Sequence, residues 1–239
     1  MHASTLKNKR IMYWIIFIVF MILSLVVSKV LNARIEKYSK IALSSGLTGK
    51  EVAEKMLRDN GIYDVKVTSV QGRLTDHYNP QDKTVNLSEG VYASNSIAAA
   101  AVAAHECGHA VQHATAYRWL TMRSNMVPMV QFGSKWSQWI LLAGMVLLGF
   151  STFLGQWVLI VGCALFALTT LFSLITLPVE YNASARAVAW LDETGITAGE
   201  ETEKAKDALK WAARTYLIAA LSSLATLLYY LYIALGSRR

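Results

Sequence analysis

The sequence predicts a mainly α-helical membrane protein with about four transmembrane helices and one small α+β domain. Three observations carry that expectation. Of 239 residues, 54% are hydrophobic and only 16% charged, where a soluble domain carries nearer a quarter charged. The apolar residues are gathered into blocks of membrane-crossing length. The polar remainder holds β-branched alternation followed by an Ala-rich helical stretch, so it mixes strand and helix.

Residues 11–31 are apolar apart from Lys29, whose ammonium can snorkel to the interface. This run is longer than a signal-peptide core and lacks a small-x-small exit, so it is expected to be a transmembrane anchor. The segment 32–135 is then the polar domain. Thr48-Gly49-Lys50-Glu51 fits a capping box that opens an amphipathic helix ending at Gly61. Residues 62–70 and 84–87 are expected as strands, with a turn at Asn79-Pro80-Gln81-Asp82 between extended segments. Residues 92–114 form one helix in this reading. A transmembrane hairpin occupies 136–177, as blocks 136–150 and 154–177 joined by a loop containing Gly155, and Pro178 ends it. Helices over 178–212 follow, with a second capping box at Thr197-Ala198-Gly199-Glu200, and 213–236 is the last span. Trp136, Trp139, Trp157, Tyr229 and Tyr230 near span ends are expected as interfacial anchors or packing.

The net charge of +7 comes from scattered Lys and Arg without an aromatic-basic motif, so nucleic acid is not an expected partner. The apolar blocks carry few ionisable groups, which argues against transport. Two cysteines, Cys107 and Cys163, make no disulfide framework. With four spans, Lys7, Lys9, Arg10, Arg238 and Arg239 share one face of the membrane. The remaining Lys and Arg share the other, several of them (Arg34, Lys37, Lys40, Arg123, Lys135, Arg186, Lys210, Arg214) near span ends. The positive-inside rule then places the polar domain in the cytoplasm, although the cluster before the first span opposes it.

The sharpest chemical signal is His105-Glu106-Cys107-Gly108-His109. On a helix, residues four apart share a face about 6 Å apart along the axis, so both imidazoles can reach one ion. Two His suit zinc, and the intervening Glu106 is placed to take a proton from the attacking water and return it to the leaving amine. The domain is therefore expected to be zincin-like, with a short β-sheet before the H-E-x-x-H helix. Glu180 is the expected third ligand: two spans separate it from His105, so both face the same side, and the site otherwise lacks its usual third protein ligand. Ser184, one turn on, can hydrogen-bond behind the ligands. His113 lies about 12 Å along the helix from His105 and about 80° around it, too far for one ion, so it is a packing or surface residue. His77 is a turn-flanking histidine or a donor to the oxyanion of a tetrahedral intermediate. Arg186 is an interfacial residue or a charge supplied to the site. The sheet edge upstream of the motif is a template for an extended peptide substrate.

The segments LTDHYNPQDKTVNLSEGVYASNSIAAAAVAAHECGHAVQH and LPVEYNASARA resemble the YugP-like family of membrane zinc metallopeptidases, itself similar to the HtpX-like membrane peptidases, whose third ligand is a Glu on a later helix. The resemblance implies zinc on His105, His109 and Glu180, a gluzincin set, with Glu106 as base in a membrane endopeptidase. It departs at Asn182, where the family favours Asp, so a neutral amide replaces a carboxylate that would orient a ligand histidine. Three alternatives remain from the residues: a membrane scaffold with a structural metal site, a site-2-type intramembrane protease that would use Asp192 of Leu191-Asp192 as ligand, and a hydrolase of a non-peptide amide or ester.

Overall fold

A computed structural model describes the backbone of residues 2–236 and the side chains of residues 11–236. The flanking basic residues Lys7, Lys9, Arg10, Arg238 and Arg239 lie outside the described side chains. The chain divides into two compact units. One comprises Val27–Thr121 and Pro178–Thr215; the other comprises the residues up to Val26, Met122–Leu177 and the residues from Tyr216.

Helix α1 (His2–Ser39), whose residues from Val27 on belong to the first unit, continues past the apolar run to Ser39 because neither Gly nor Pro interrupts it. Helix α2 (Gly49–Asp59) opens on the expected capping box: the Thr48 hydroxyl accepts the Glu51 N–H at 3.3 Å, and the Thr48 N–H donates to Glu51 Oε2 at 2.8 Å. Its apolar side, Val52, Ala53, Met56 and Leu57, is buried. Gly61, at φ +70°, takes the left-handed turn that ends the helix.

Strands β1 (Lys66–Val70), β2 (His77–Asn79) and β3 (Thr84–Ser88) form a sheet in the order β1-β3-β2. Central β3 pairs parallel with β1 and antiparallel with β2, and buries Val85 and Leu87. The first strand is shorter than expected because Ile62 is drawn into closing α2, its N–H donating to Leu57 O at 2.9 Å. Among the described residues, the outer edge of β2 pairs with no strand.

After the short helix α3 (Glu89–Tyr92) comes α4 (Ile97–Ala114), which carries the H-E-x-x-H sequence. The expected single helix over 92–114 is broken at 93–96. There the backbone bridges to the 41–43 segment (Leu43 N to Asn95 O 2.7 Å, Ile97 N to Ile41 O 3.1 Å) and Ser96 caps α4. Ala98, Ala100, Ala101, Ala103 and Ala104 are buried, and their small side chains let α4 sit deep in the core. Cys107 is buried too. Its thiol donates to Ala53 O at 3.5 Å, and burial pushes its pKa well up, so it is a packing residue.

Helices α5 (Arg118–Leu147), α6 (Thr152–Glu193) and α7 (Glu200–Gly236) complete the chain. The hairpin turn falls at 148–151, and Gly155, expected in the loop, is already helical. A Cβ there would lie 2.7 Å from Leu148 Cα, so glycine permits the tight return. Gly133 and Gly144 on α5 and Gly162 on α6 make similar close approaches, the small-residue contacts typical of membrane helices. Pro178 does not end the second apolar block; α6 runs through it. An interior proline costs about 3 kcal/mol, and burial of Val179 and Leu191, each contributing about 1.5–3 kcal/mol, offsets it. The second expected capping box does not form. Helix α7 starts at Glu200, after Gly199 at φ +56°, and buried Thr197 instead shares a 3.0 Å hydroxyl contact with Thr202.

Among the described residues, three helices are long and apolar enough to cross a membrane: Ile11–Ser39, Thr152–Glu193 and Glu200–Gly236. The fourth expected span, 136–150, falls on the last part of α5 and the turn after it, where the apolar run is short and contains Ser137 and Gln138.

Thr48→Ala removes the hydroxyl that accepts the Glu51 N–H, while the backbone N–H of residue 48 can still donate to Glu51 Oε2. The substitution should lower stability by about 1 kcal/mol, seen as a reduced thermal midpoint of the detergent-solubilised protein.

Candidate metal centre

His105 and His109 sit one turn apart on α4, their rings nearly perpendicular with centroids 4.8 Å apart. Glu180 enters from α6. Its Oε2 lies 3.3 Å from His105 Nε2 and 3.6 Å from His109 Nε2, and the three side chains are only 3%, 12% and 11% exposed respectively. The three donor atoms lie within 4.8 Å of one another. Ligands held at about 2.0–2.1 Å in a tetrahedron are separated by roughly 3.4 Å, so the two N···O distances match edges of a zinc polyhedron. The donor set of two imidazoles and a carboxylate fits zinc as well.

Three features bring α6 to this distance. At Gly108, inside the motif, a Cβ would lie 2.7 Å from Ala183 O, so only glycine admits the α6 backbone here. Gln112, three residues beyond His109, donates from Nε2 to Val179 O at 2.8 Å. The Tyr117 hydroxyl donates to Pro178 O at 3.5 Å. Two successive carbonyls just before Glu180 are thus tied to α4 and to the turn after it.

The far nitrogen of each ligand histidine is also engaged. His105 Nδ1 meets the Ser184 hydroxyl at 3.2 Å, and His109 Nδ1 meets Gln112 Oε1 at 3.1 Å. Such contacts fix ring orientation and turn Nε2 toward the ion. Burial pulls the His109 pKa down, but the hydrogen bond to Glu180 and the charges of Glu106 and Glu180 outweigh it and hold the pKa above the ordinary value. The pocket therefore favours a cation.

Glu106 is buried, and its Oε2 accepts the Tyr78 backbone N–H at 3.0 Å. Tyr78 belongs to β2, so the open sheet edge lies beside the carboxylate. The Tyr78 phenol reaches His113 Nδ1 at 2.8 Å on the last turns of α4, which makes His113 a packing partner outside the metal group.

His77 is not brought into the group. Successive strand residues alternate faces, and Tyr78 takes the face over α4. His77 instead bonds Thr75 O through Nδ1 (2.8 Å) and the Asn86 amide through Nε2 (3.2 Å). Asn182 does not touch a ligand histidine either: its Oδ1 accepts from Gln112 Nε2 at 3.0 Å and from Arg186 Nε at 2.8 Å. Asp192, the ligand of the intramembrane alternative, accepts the Thr202 hydroxyl at 2.9 Å and lies outside the group. Sequence reasoning missed Gln112 and the Tyr78 amide. The i,i+3 spacing of Gln112 from His109 could have signalled the first; nothing in the sequence signals the second, a backbone group.

Residues 13–235 match a family described as "Putative neutral zinc metallopeptidase". The chain is 43% identical over 207 residues to the "Putative membrane protease YugP" of Bacillus subtilis (strain 168), covering 87% of this chain and 89% of that protein. No solved structure matches it.

Gly108→Ala should force α4 and α6 apart at Ala183 O. Zinc affinity, measured by competition with a chromophoric chelator, should fall by roughly tenfold or more, as for lost support behind a ligand.

Proposed function

The chain belongs to the neutral zinc metallopeptidase family, and from that premise we propose that it is a membrane-embedded endopeptidase that hydrolyses peptide bonds of peptides or membrane proteins near the membrane surface. The observation that carries this reading is the convergence of His105, His109 and Glu180 at zinc-polyhedron distances, with buried Glu106 on the same helix.

His105, His109 and Glu180 hold the metal. Bound zinc supplies a Lewis acid that polarises a carbonyl and lowers the pKa of water towards about 7. The chain's own residues do the rest. Ser184 and Gln112 keep the two imidazoles aimed. Glu106 takes a proton from the attacking water and passes it to the departing amine, its carboxylate oriented by the Tyr78 N–H. The β2 edge, which pairs with no further strand among the described residues, is where an extended substrate can add as a further strand, its backbone running past Glu106. His77, with both ring nitrogens engaged in the sheet, is given no catalytic part.

The metal group also bears on topology. His105 and Glu180 share one site, so the chain between them crosses the bilayer an even number of times. If α6 crosses once, α5 must cross as well, and its 30 residues span about 45 Å, enough to do so. That supports four crossings. Arg34, Lys37, Lys40, Lys210 and Arg214 then lie on the side of the metal site, which supports a cytoplasmic catalytic face.

Two measurements test this. Glu106→Gln should keep one zinc per chain and lose at least about 10²-fold in cleavage of casein or a peptide in detergent, whereas His109→Ala should lose the metal. Zinc in wild type and Glu106→Gln with equal cleavage would sink the general-base assignment; zinc in both with no cleavage in either would favour a scaffold. Separately, Tyr63→Cys places a thiol at an exposed position while Cys107 and Cys163 are buried. In intact bacteria whose outer barrier is opened, a membrane-impermeant maleimide should label it only after lysis.

A further inference from the structure

A polar chain leads away from the metal group through the interior. His109 Nδ1 meets Gln112 Oε1 at 3.1 Å. Gln112 Nε2 donates to Val179 O at 2.8 Å and to Asn182 Oδ1 at 3.0 Å. Arg186 Nε donates to the same Asn182 oxygen at 2.8 Å, with its guanidinium carbon 6.0 Å from the centre of the Tyr117 ring. Gln112 is 0% exposed, so water cannot stand in for a missing partner.

An amide side chain is nearly symmetric in shape but not in polarity: its oxygen only accepts and its nitrogen only donates. A relay of two amides can therefore run in either sense unless its ends are set. Here they are. A guanidinium only donates and stays charged, so Asn182 must turn Oδ1 toward Arg186. That oxygen also faces Gln112, which must answer with Nε2, and the acceptor-only carbonyl of Val179 demands the same. The other end of Gln112 is then Oε1, which only accepts, so His109 Nδ1 must carry a proton. A neutral imidazole protonated on Nδ1 has its lone pair on Nε2, the atom that faces Glu180. The reverse sense would put a proton on Nε2 and leave donors facing donors in a buried site, at the cost of unsatisfied polar groups.

We infer that Arg186, acting through Asn182, joins the Val179 carbonyl in fixing the sense of Gln112, which sets the tautomer of His109 and so readies its Nε2 to bind the metal. Arg186 is a positioning residue that contacts none of the ligands itself. This rests on the metal reading above.

The test is zinc affinity of the full-length protein in detergent, by chelator competition, with the thermal midpoint of each metal-free protein as the check on folding. Arg186→Met keeps an unbranched stem beside Tyr117 but removes the donor; its affinity should fall about 10–100-fold. Arg186→Lys, still a donor-only end, should recover part of that loss. Asn182→Asp keeps an acceptor facing both Gln112 and Arg186 and should stay within about threefold of wild type, while Asn182→Leu should lose as much as Arg186→Met. Wild-type affinity in folded Arg186→Met would overturn the inference while leaving the metal site standing. So would an Asn182→Asp protein as weak as Asn182→Leu, and that pair decides the matter if Arg186→Met does not fold. A wild-type protein that takes up no zinc would overturn the metal reading and this inference together.

Discussion

The close approach of α4 and α6 is the constraint on which the metal group depends. Two imidazoles on one helix face make a partial site, and the third ligand must come from elsewhere in the chain. Gly108 lets the α6 backbone come so near that a single methyl group would meet Ala183 O at 2.7 Å. Ala183 and Ala187 on α6 are small and buried as well. Glu180 can then reach both histidines although it is 71 residues from the nearer one in sequence, as read from the numbering. The glycine between the two motif residues that face the ion is thus part of the site, through its lack of a side chain.

The same helix serves three directions at once. Its His105 and His109 face Glu180, its Glu106 faces the Tyr78 amide of the sheet edge, and its Cys107 and alanines face α2 and the core. This division follows from 3.6 residues per turn: neighbours in H-E-C-G-H are about 100° apart, so each is assigned a different neighbour. In the proposed reading, the Glu106 carboxylate, placed between a metal cradle and a backbone donor on β2, takes the proton during attack on an extended peptide. Ser184 and Gln112 behind the two histidines are both neutral, so Glu180 is the anionic member of the group.

Much of this was legible in the chain. The H-E-x-x-H spacing, the capping box at Thr48 and the strand at 84–87 follow from local rules and appear where those rules put them. Other local rules failed where packing overrode them. Pro178 was expected to stop a helix, yet α6 passes through it because the buried residues beyond it outweigh one lost bond. Thr197 was expected to cap α7 but is buried and bonded to Thr202. The helix expected from residue 92 starts at Ile97 because the backbone before it bridges to the 41–43 segment.

What the sequence determined by itself is the chemistry available: two histidines at helical spacing, a glutamate between them, a later glutamate, and apolar blocks that belong in a bilayer. These depend on neighbours a few residues apart, which the period of a helix or strand already relates. What only the tertiary structure decided is orientation. That His77 bonds Thr75 O and the Asn86 amide while the Tyr78 amide holds Glu106, and that a relay of Gln112, Asn182 and Arg186 stands behind His109, depends on which strand lies at the edge and on how closely two helices meet. Those are long-range contacts, and hydrogen-bond polarity across them is set by partners far apart in the chain.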